Sequence, residues 1–288
     1  MIEFIFKQKN DALKLQAHLN KEFIQSWFHE TLFQHTTHYN LTIEVSPFFK
    51  EKEKLFNGVS HFVLNDKCMD WSESALKENY FYEDVDEINQ ILEIVSEMRL
   101  GERPELMELI GEWDEAEYVH DSLELLLEGK APISFDSFSK FRLKKLQERL
   151  LLMLDLAIDE YKMEQEYQMF VHMLREYLAS REQKIRTIHL CSTGYGYRFF
   201  DEDMKEMTRQ ELTKAIDKRL LTNHPLYVDS YTIAPLLSLA PEKILVYGNR
   251  DHQLIRTLQN IFEERIDLLP MSYFPETLLY PSWDIANE

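Results

Sequence analysis

Apolar residues recur along most of this 288-residue chain at spacings of three and four, the rhythm of helices that bury one side. Short β-rich runs interrupt that rhythm. "IEFIF" (Ile2–Phe6) predicts a strand, and Leu13, Leu15, Leu19, Phe23, Ile24, Trp27 and Phe28 follow it at helical spacing. "LTIEV" (Leu41–Val45) alternates and predicts a second strand, closed by Ser46 and Pro47. Phe48, Leu55, Phe56, Val59, Phe62 and Val63 suit another helix, with a strand over His61–Leu64 as the alternative. "DVDE" from Asp84 to Glu87 has the form of a capping box, and the helix it opens carries Ile88, Ile91, Leu92, Val95 and Met98 up to Gly101. A further acidic helical stretch is expected from Arg103 to Gly129, broken near Gly111.

The longest element follows. With Ser134 as cap, apolar residues from Phe138 to Leu178 keep a helical step, and nothing between Phe135 and Arg181 is Gly or Pro. One long helix is expected, or two nearly collinear ones meeting around Met163 to Glu166. Composition then changes: "IRTIHLC" and "YRFF" predict paired strands, and Thr208 with Glu211 predicts a capped helix. "LYV" (Leu226–Val228), a helix before Ala240, the strand "KILVY", the helix "DHQLIRTLQNIF" and the strand "RIDLL" form a β-α-β-α-β run. Such a run builds a small parallel sheet with right-handed crossovers. The tail from Pro270 is expected to wrap the surface.

The fold class expected is therefore α+β and helix-rich. Its parts are an N-terminal β-α-β and acidic helical region (1–130), a long central helix (131–184), and a C-terminal α/β domain with an extended tail (185–288).

Charge sharpens this picture. Between Asp70 and Lys130, 19 Asp and Glu stand against 4 Lys and Arg, a net of −15, whereas the other 227 residues carry −4. Such a segment repels phosphate backbones, so nucleic-acid binding is not expected. The basic stretch Lys140, Arg142, Lys144, Lys145 and Arg149 is the local exception. The acidic stretch is either a solvated surface or a docking face for a basic protein partner. Two cysteines, Cys68 and Cys191, make neither a disulfide framework nor a metal pattern. No signal-like start is visible, and the greasiest run, Leu150 to Ile158, falls well short of the roughly 20 residues that span a bilayer. A cytoplasmic protein off the membrane is expected, of unspecified oligomeric state.

Chemical motifs are sparse. "STGYGYRFF" runs from strand to strand with no following Lys, and Phe199 stands where a dinucleotide fingerprint needs its third glycine. Gly194 and Gly196 are read as turn geometry. His29, Phe33, His35 and His38 do not match the metalloprotease helix, and Glu117 with His120 lacks the second unit of a di-iron bundle. Lys243, adjacent to Glu242, takes the wrong face for a nuclease site. No catalytic residue, metal ligand or cofactor is assigned. The best small-molecule candidates are Asp229, Asn249, Arg250 and Asp251, at the carboxyl ends of strands in an open α/β sheet, where ligands usually bind.

Two stretches carry a family resemblance: Ser134 to Leu178, with Phe141-Arg142-Leu143, Asp159-Glu160-Tyr161 and Glu166-Tyr167, and Tyr227 to Phe262, with Ala240-Pro241 before Lys243-Ile244. Together they resemble the YtxC-like family of sporulation proteins from spore-forming bacteria. Leu146 replaces an expected aromatic, and "TIAPLLSLAP" follows the second motif less closely. The resemblance implies a role connected with sporulation and a cytosolic site, and brings no reaction with it. The expected function is non-enzymatic, by protein contacts or ligand sensing. The alternative is an enzyme or nucleotide-binding protein with its site at the edge of the C-terminal sheet.

Overall fold

The computed structural model describes residues 1–33, 36–44, 49–127, 131–193, 196–217, 231–248 and 252–279. They form two compact units, Met1–Met163 and Glu164–Glu288. Helices dominate, and two small mixed sheets complete a helix-rich α+β fold.

The first unit is organised around β1 (Ile2–Phe6), β2 (Ser26–Phe33), β3 (Thr36–Ile43) and the short β4 (Ile133–Ser134), in the order β2-β3-β1-β4. β1 and β2 both pair antiparallel with β3, and β4 pairs parallel with β1. Alternation divides the side chains between two faces. Phe4, Phe6, Leu41 and Ile43 lie in the core, whereas the register places Glu3, Ile5, Thr31, His38 and Asn40 together on the other face. Phe6 anchors an aromatic cluster, 5.2 Å from the ring of Phe135 and 6.2 Å from Phe62 in an edge-on contact.

Helix α1 (Lys9–Lys21) stops earlier than its hydrophobic spacing predicts, and Trp27 and Phe28 belong to β2. The stop is a Schellman turn made without glycine. Phe23 adopts φ 60°, its N–H reaching the Asn20 carbonyl, and the Ile24 N–H returns to the Leu19 carbonyl at 3.0 Å. Ile24 and Leu19 are both buried there, while the Phe23 ring is 88% exposed.

α2 (Phe49–His61) continues through one π-helical turn, Phe62–Lys67, into α3 (Cys68–Glu78). The strand alternative over His61–Leu64 is thereby replaced by helix. The wider turn brings the Lys67 ammonium onto the Asp11 carboxylate at 3.0 Å and Asp70 at 3.1 Å, with Lys67 and Asp11 both nearly buried. α1 and α2 approach closely at Gly58, where an added Cβ would stand 2.8 Å from Leu19 Cδ2.

α4 (Val85–Leu100) starts and stops where its caps predict. Asp84 accepts the backbone N–H groups of Asp86 and Glu87, and Gly101 takes φ 77°. α5 (Pro104–Ile110) and α6 (Glu115–Leu127) are separated at Gly111. α7 (Phe135–Arg142) is capped by Ser134. α8 (Lys144–Ala179) then runs unbroken through Met163 to Glu166, so the discontinuity falls at Leu143 and not at the expected place. Its cause is tertiary: the Arg142 carbonyl accepts from the Tyr118 hydroxyl at 2.7 Å and from Ser122 at 3.4 Å, which satisfies a helix end that no Gly or Pro marks.

Leu146, Leu150, Met153, Leu154, Ala157 and Ile158 of α8 join the first unit's core, and Phe170, Val171, Leu174 and Leu178 join the second unit's. No position from Lys162 to Met169 is buried. The second unit holds β5 (Thr187–Thr193), β6 (Gly196–Phe200), β7 (Lys243–Tyr247) and β8 (Ile266–Leu269), in the order β6-β5-β7-β8. β5, β7 and β8 are parallel, and β6 returns antiparallel on β5 with Thr193 opposite Gly196. The glycine stretch therefore joins two paired strands, and Gly196 uses its freedom at φ 123°. Gly194 and the expected strand Leu226–Val228 lie outside the described residues. α9 (Arg209–Ala215) carries the full Thr208–Glu211 capping box, and α10 (Ile233–Leu239) and α11 (His252–Phe262) complete the run, followed by the short α12 (Glu276–Leu279).

Two substitutions test this packing. Phe23→Gly relieves a left-handed cost of about 1–2 kcal/mol while removing an exposed ring, and should raise the thermal midpoint of unfolding. Gly58→Ala gains about 1 kcal/mol of helix propensity, but overpacking against the fully buried Leu19 costs about 1–3 kcal/mol. A net loss of stability in denaturant unfolding is expected.

Candidate functional site

The four ligand candidates from the sequence, Asp229, Asn249, Arg250 and Asp251, lie outside the described residues. The adjoining strand ends are described. The Tyr247 hydroxyl lies 2.9 Å from His189 Nδ1, with the two rings stacked at 5.8 Å. Burial lowers the His189 pKa, against the pull of the Asp201 carboxylate, and burial raises that of Tyr247. Both side chains are thereby held in their neutral forms at neutral pH. Cys191 beside them is fully buried and its thiol pKa is raised by that burial. Phe274 closes this face, 5.1 Å from Phe200 and 5.0 Å from Tyr247, and Arg198 donates to the Leu278 carbonyl at 2.8 Å.

The acidic region is a sorted population of charges. Its three described cations are each engaged within the chain. Lys77 pairs with Glu73, Arg99 with Glu115 at 2.9 Å, and Arg103 with both Glu97 and Glu160 at 2.8 Å. Arg99 also donates to the Leu64 carbonyl at 2.6 Å. Glu93, Glu102, Glu105, Glu108, Glu112, Glu117 and Glu124 remain exposed, distributed over α4, α5, α6 and their connections. α5 buries no residue completely, and Leu100 and Leu109 stand 72% and 69% exposed among these carboxylates. Composition marked this surface as acidic; it gave no sign that Arg99 and Arg103 pair within the chain.

Arg149 of the basic stretch is only 9% exposed. Its guanidinium donates to the carbonyls of Ile110 at 3.1 Å and Gly111 at 2.6 Å and lies over Trp113. It caps the end of α5 and is not a free cation. His120, Asp121 and Glu124 hold their ligand atoms within 4.8 Å of one another, and the His120 ring packs 4.0 Å from Phe56.

The family-motif residues divide by position. Phe141 is exposed, with Lys140 over its ring, and with Arg142 it borders a cavity of about 380 Å³. Asp159, Glu160 and Tyr161 belong to a seam between α8 and the stretch from Tyr80 to Arg103, which contains α4. The Tyr161 hydroxyl donates to Glu87 at 3.0 Å, the Tyr80 hydroxyl donates to Asp155 at 2.6 Å, and Glu160 takes Arg103. Burial, then the Asp155 carboxylate, pushes the Tyr80 phenol up to about 12, and burial with Glu87 and Asp159 raises Tyr82. The Tyr80 and Tyr161 phenols, held protonated, donate to the Asp155 and Glu87 carboxylates. Glu166 is exposed, and Tyr167 accepts from Asn260 at 2.9 Å in the second unit. The partners Tyr80, Glu87 and Arg103 are distant in sequence, and the sequence carried no signal for them. Tyr161→Phe should destabilise the first unit by about 1–2 kcal/mol, because it strips the Glu87 carboxylate of its donor. Chemical denaturation of the full chain measures this, and an unchanged midpoint would contradict the pinning role.

Comparison with known proteins adds the lineage. The sequence profile of the YtxC-like family matches residues 53–267, which takes in all of α3 to α11. An uncharacterized protein YtxC from Bacillus subtilis (strain 168) is 33% identical over 204 residues, covering 70% of this chain and 72% of that protein. No solved structure matches the chain. No helix among the described residues is long and apolar enough to cross a membrane. By profile and by identity, the chain belongs to the YtxC-like family.

Proposed function

We propose that this chain is a sporulation-associated binding protein that works without catalysis, docking a basic protein partner on the exposed carboxylates of α4, α5 and α6. One observation carries the proposal: the cations described within the acidic region are consumed by internal pairs, so the remaining negative charge is uncompensated and faces outward. Leu100 and Leu109 supply apolar contact area within that field. A surface of this kind speeds encounter and selects by charge, while the apolar contacts slow dissociation. The link to sporulation rests on the family resemblance of the stretches Ser134–Leu178 and Tyr227–Phe262.

A second role, ligand binding near Asp229, Asn249, Arg250 and Asp251, is supported by the parallel order β5-β7-β8, whose carboxyl ends lie side by side at Cys191, Tyr247 and Leu269. Ligands of open α/β sheets gather at such ends.

The leading proposal is tested by capture from sporulating cells on the immobilised full chain across salt concentrations. Basic proteins should be retained at low salt and released as the Debye length shrinks to about 8 Å at physiological ionic strength and below it at higher salt. A variant carrying Gln at Glu105, Glu108, Glu112 and Glu117 should lose most of that retention while unfolding at the wild-type midpoint. No partner at low salt, or retention indifferent to these substitutions, would refute it.

A further inference from the structure

The outer face of the N-terminal sheet holds a second feature, built from residues other than those of the acidic helices. Strand register brings Ile5 of β1 opposite Asn40 of β3 and Ser134 of β4, and Thr31 of β2 opposite His38. These residues, with Lys7 and Asp136, line one cavity of about 380 Å³. That volume lies within the roughly 300–1,000 Å³ usual for small-molecule sites.

The cavity has a built floor. Asn40 is 6% exposed, and its amide is fixed from both ends: the carbonyl oxygen accepts from Thr31 Oγ1 at 2.9 Å, and Nδ2 donates to Glu3 at 2.8 Å. An asparagine amide has two N–H groups and two acceptor lone pairs, so one of each is left over for whatever enters. Glu3, which orients the amide, also lies 3.6 Å from His29 Nε2, beside the floor on the same sheet face. The rim carries both signs of charge. Lys7 Nζ and Asp136 Oδ1 are 3.8 Å apart, a loose pair with side chains 69% and 42% exposed. An exposed pair of this length is worth little, so a ligand that separates the two ends sacrifices almost nothing. It gains instead a charge-assisted hydrogen bond at each end.

From this geometry we propose that the outer-sheet cavity binds a small zwitterion of the α-amino-acid class, with its carboxylate on Lys7 and its ammonium on Asp136. The locked Asn40 amide and the hydroxyls of Thr31 and Ser134 meet its polar middle, and Ile5 meets its apolar part. A simple anion would be repelled by Asp136 and a simple cation by Lys7, and the paired rim selects against both.

The test is isothermal titration of the full chain with the common L-amino acids one at a time. The best binder is then compared with its N-acetyl derivative, which lacks the cation, and its α-amide, which lacks the anion. At least one amino acid should bind saturably in the millimolar range or tighter, and each blocked form should bind about tenfold or more weakly. Lys7→Gln and Asp136→Asn, both at exposed positions, should each weaken it by about the same factor while leaving the thermal midpoint unchanged. The Lys7 change should matter less for the α-amide, and the Asp136 change less for the N-acetyl form. Heat from no amino acid, equal binding of the blocked forms, or indifference to both rim substitutions would overturn the assignment. None of these outcomes bears on the acidic surface, which is scored by capture of protein.

Discussion

Thirty-six residues of α8 form one uninterrupted helix, and that helix has to supply apolar side chains to two separate cores. A helix repeats every 3.6 residues, so a single stripe could serve both only if no gap intervened. Here the stripe is interrupted. It runs from Leu146 to Tyr161, lapses from Lys162 to Met169, where no side chain is fully buried, and resumes from Phe170 to Leu178. The backbone hydrogen bonds continue across the lapse, helped by the good helix formers Lys, Met, Glu and Gln and by the Gln168–Glu164 side-chain hydrogen bond at 2.8 Å. Each unit is therefore built onto a segment of a helix whose continuity neither core enforces at its middle.

The carboxylates obey a related economy. A region with a net charge of −15 would resist compaction if its acids crowded together. The chain answers by giving the half-buried acids Glu87, Glu97, Glu115 and Glu160 donors from Tyr161, Arg103 and Arg99, by pairing Asp70 with Lys67, and by leaving most of the others exposed. Removing a donor beneath such a seam exposes an acid to desolvation without compensation, a larger penalty than the loss of a surface pair. The Asp-Glu-Tyr motif of α8 thus acts where folding and charge meet, and the outward-facing acids are what it leaves available.

Legibility in the sequence tracked the locality of each cause. α4 could be read to the residue because Asp84 and Gly101 lie at its own termini, and the start of α9 because Thr208 and Glu211 cap it reciprocally; its end could not, since the expected helix over 208–221 stops at Ala215 with Ile216 extended. β2 could not, because the turn ending α1 uses Phe23 in a conformation normally signalled by glycine, and Trp27 and Phe28 happen to continue a helical spacing. With β2 misread, the outer sheet face was invisible, and so were the cavity residues Thr31, His38 and Asn40. The break at Leu143 and the burial of Arg149 depend on Tyr118, Ser122, Ile110 and Gly111, partners fixed only by the tertiary fold. Acidity itself was plain from composition. Which acids face water was not.

The two cysteines have a practical bearing. Cys68 is fully buried and its thiol is pushed up to about 12 by that burial, and Cys191 is likewise enclosed and raised. The thiolate is the form that attacks alkylating reagents, and neither side chain offers one at neutral pH. The natural background toward maleimides is accordingly silent while the fold is intact. A cysteine introduced at an exposed helical position such as Met163 or Met169 then carries a fluorophore or spin label alone, and the native thiols react only once the chain opens, so reagent uptake doubles as a clock for unfolding.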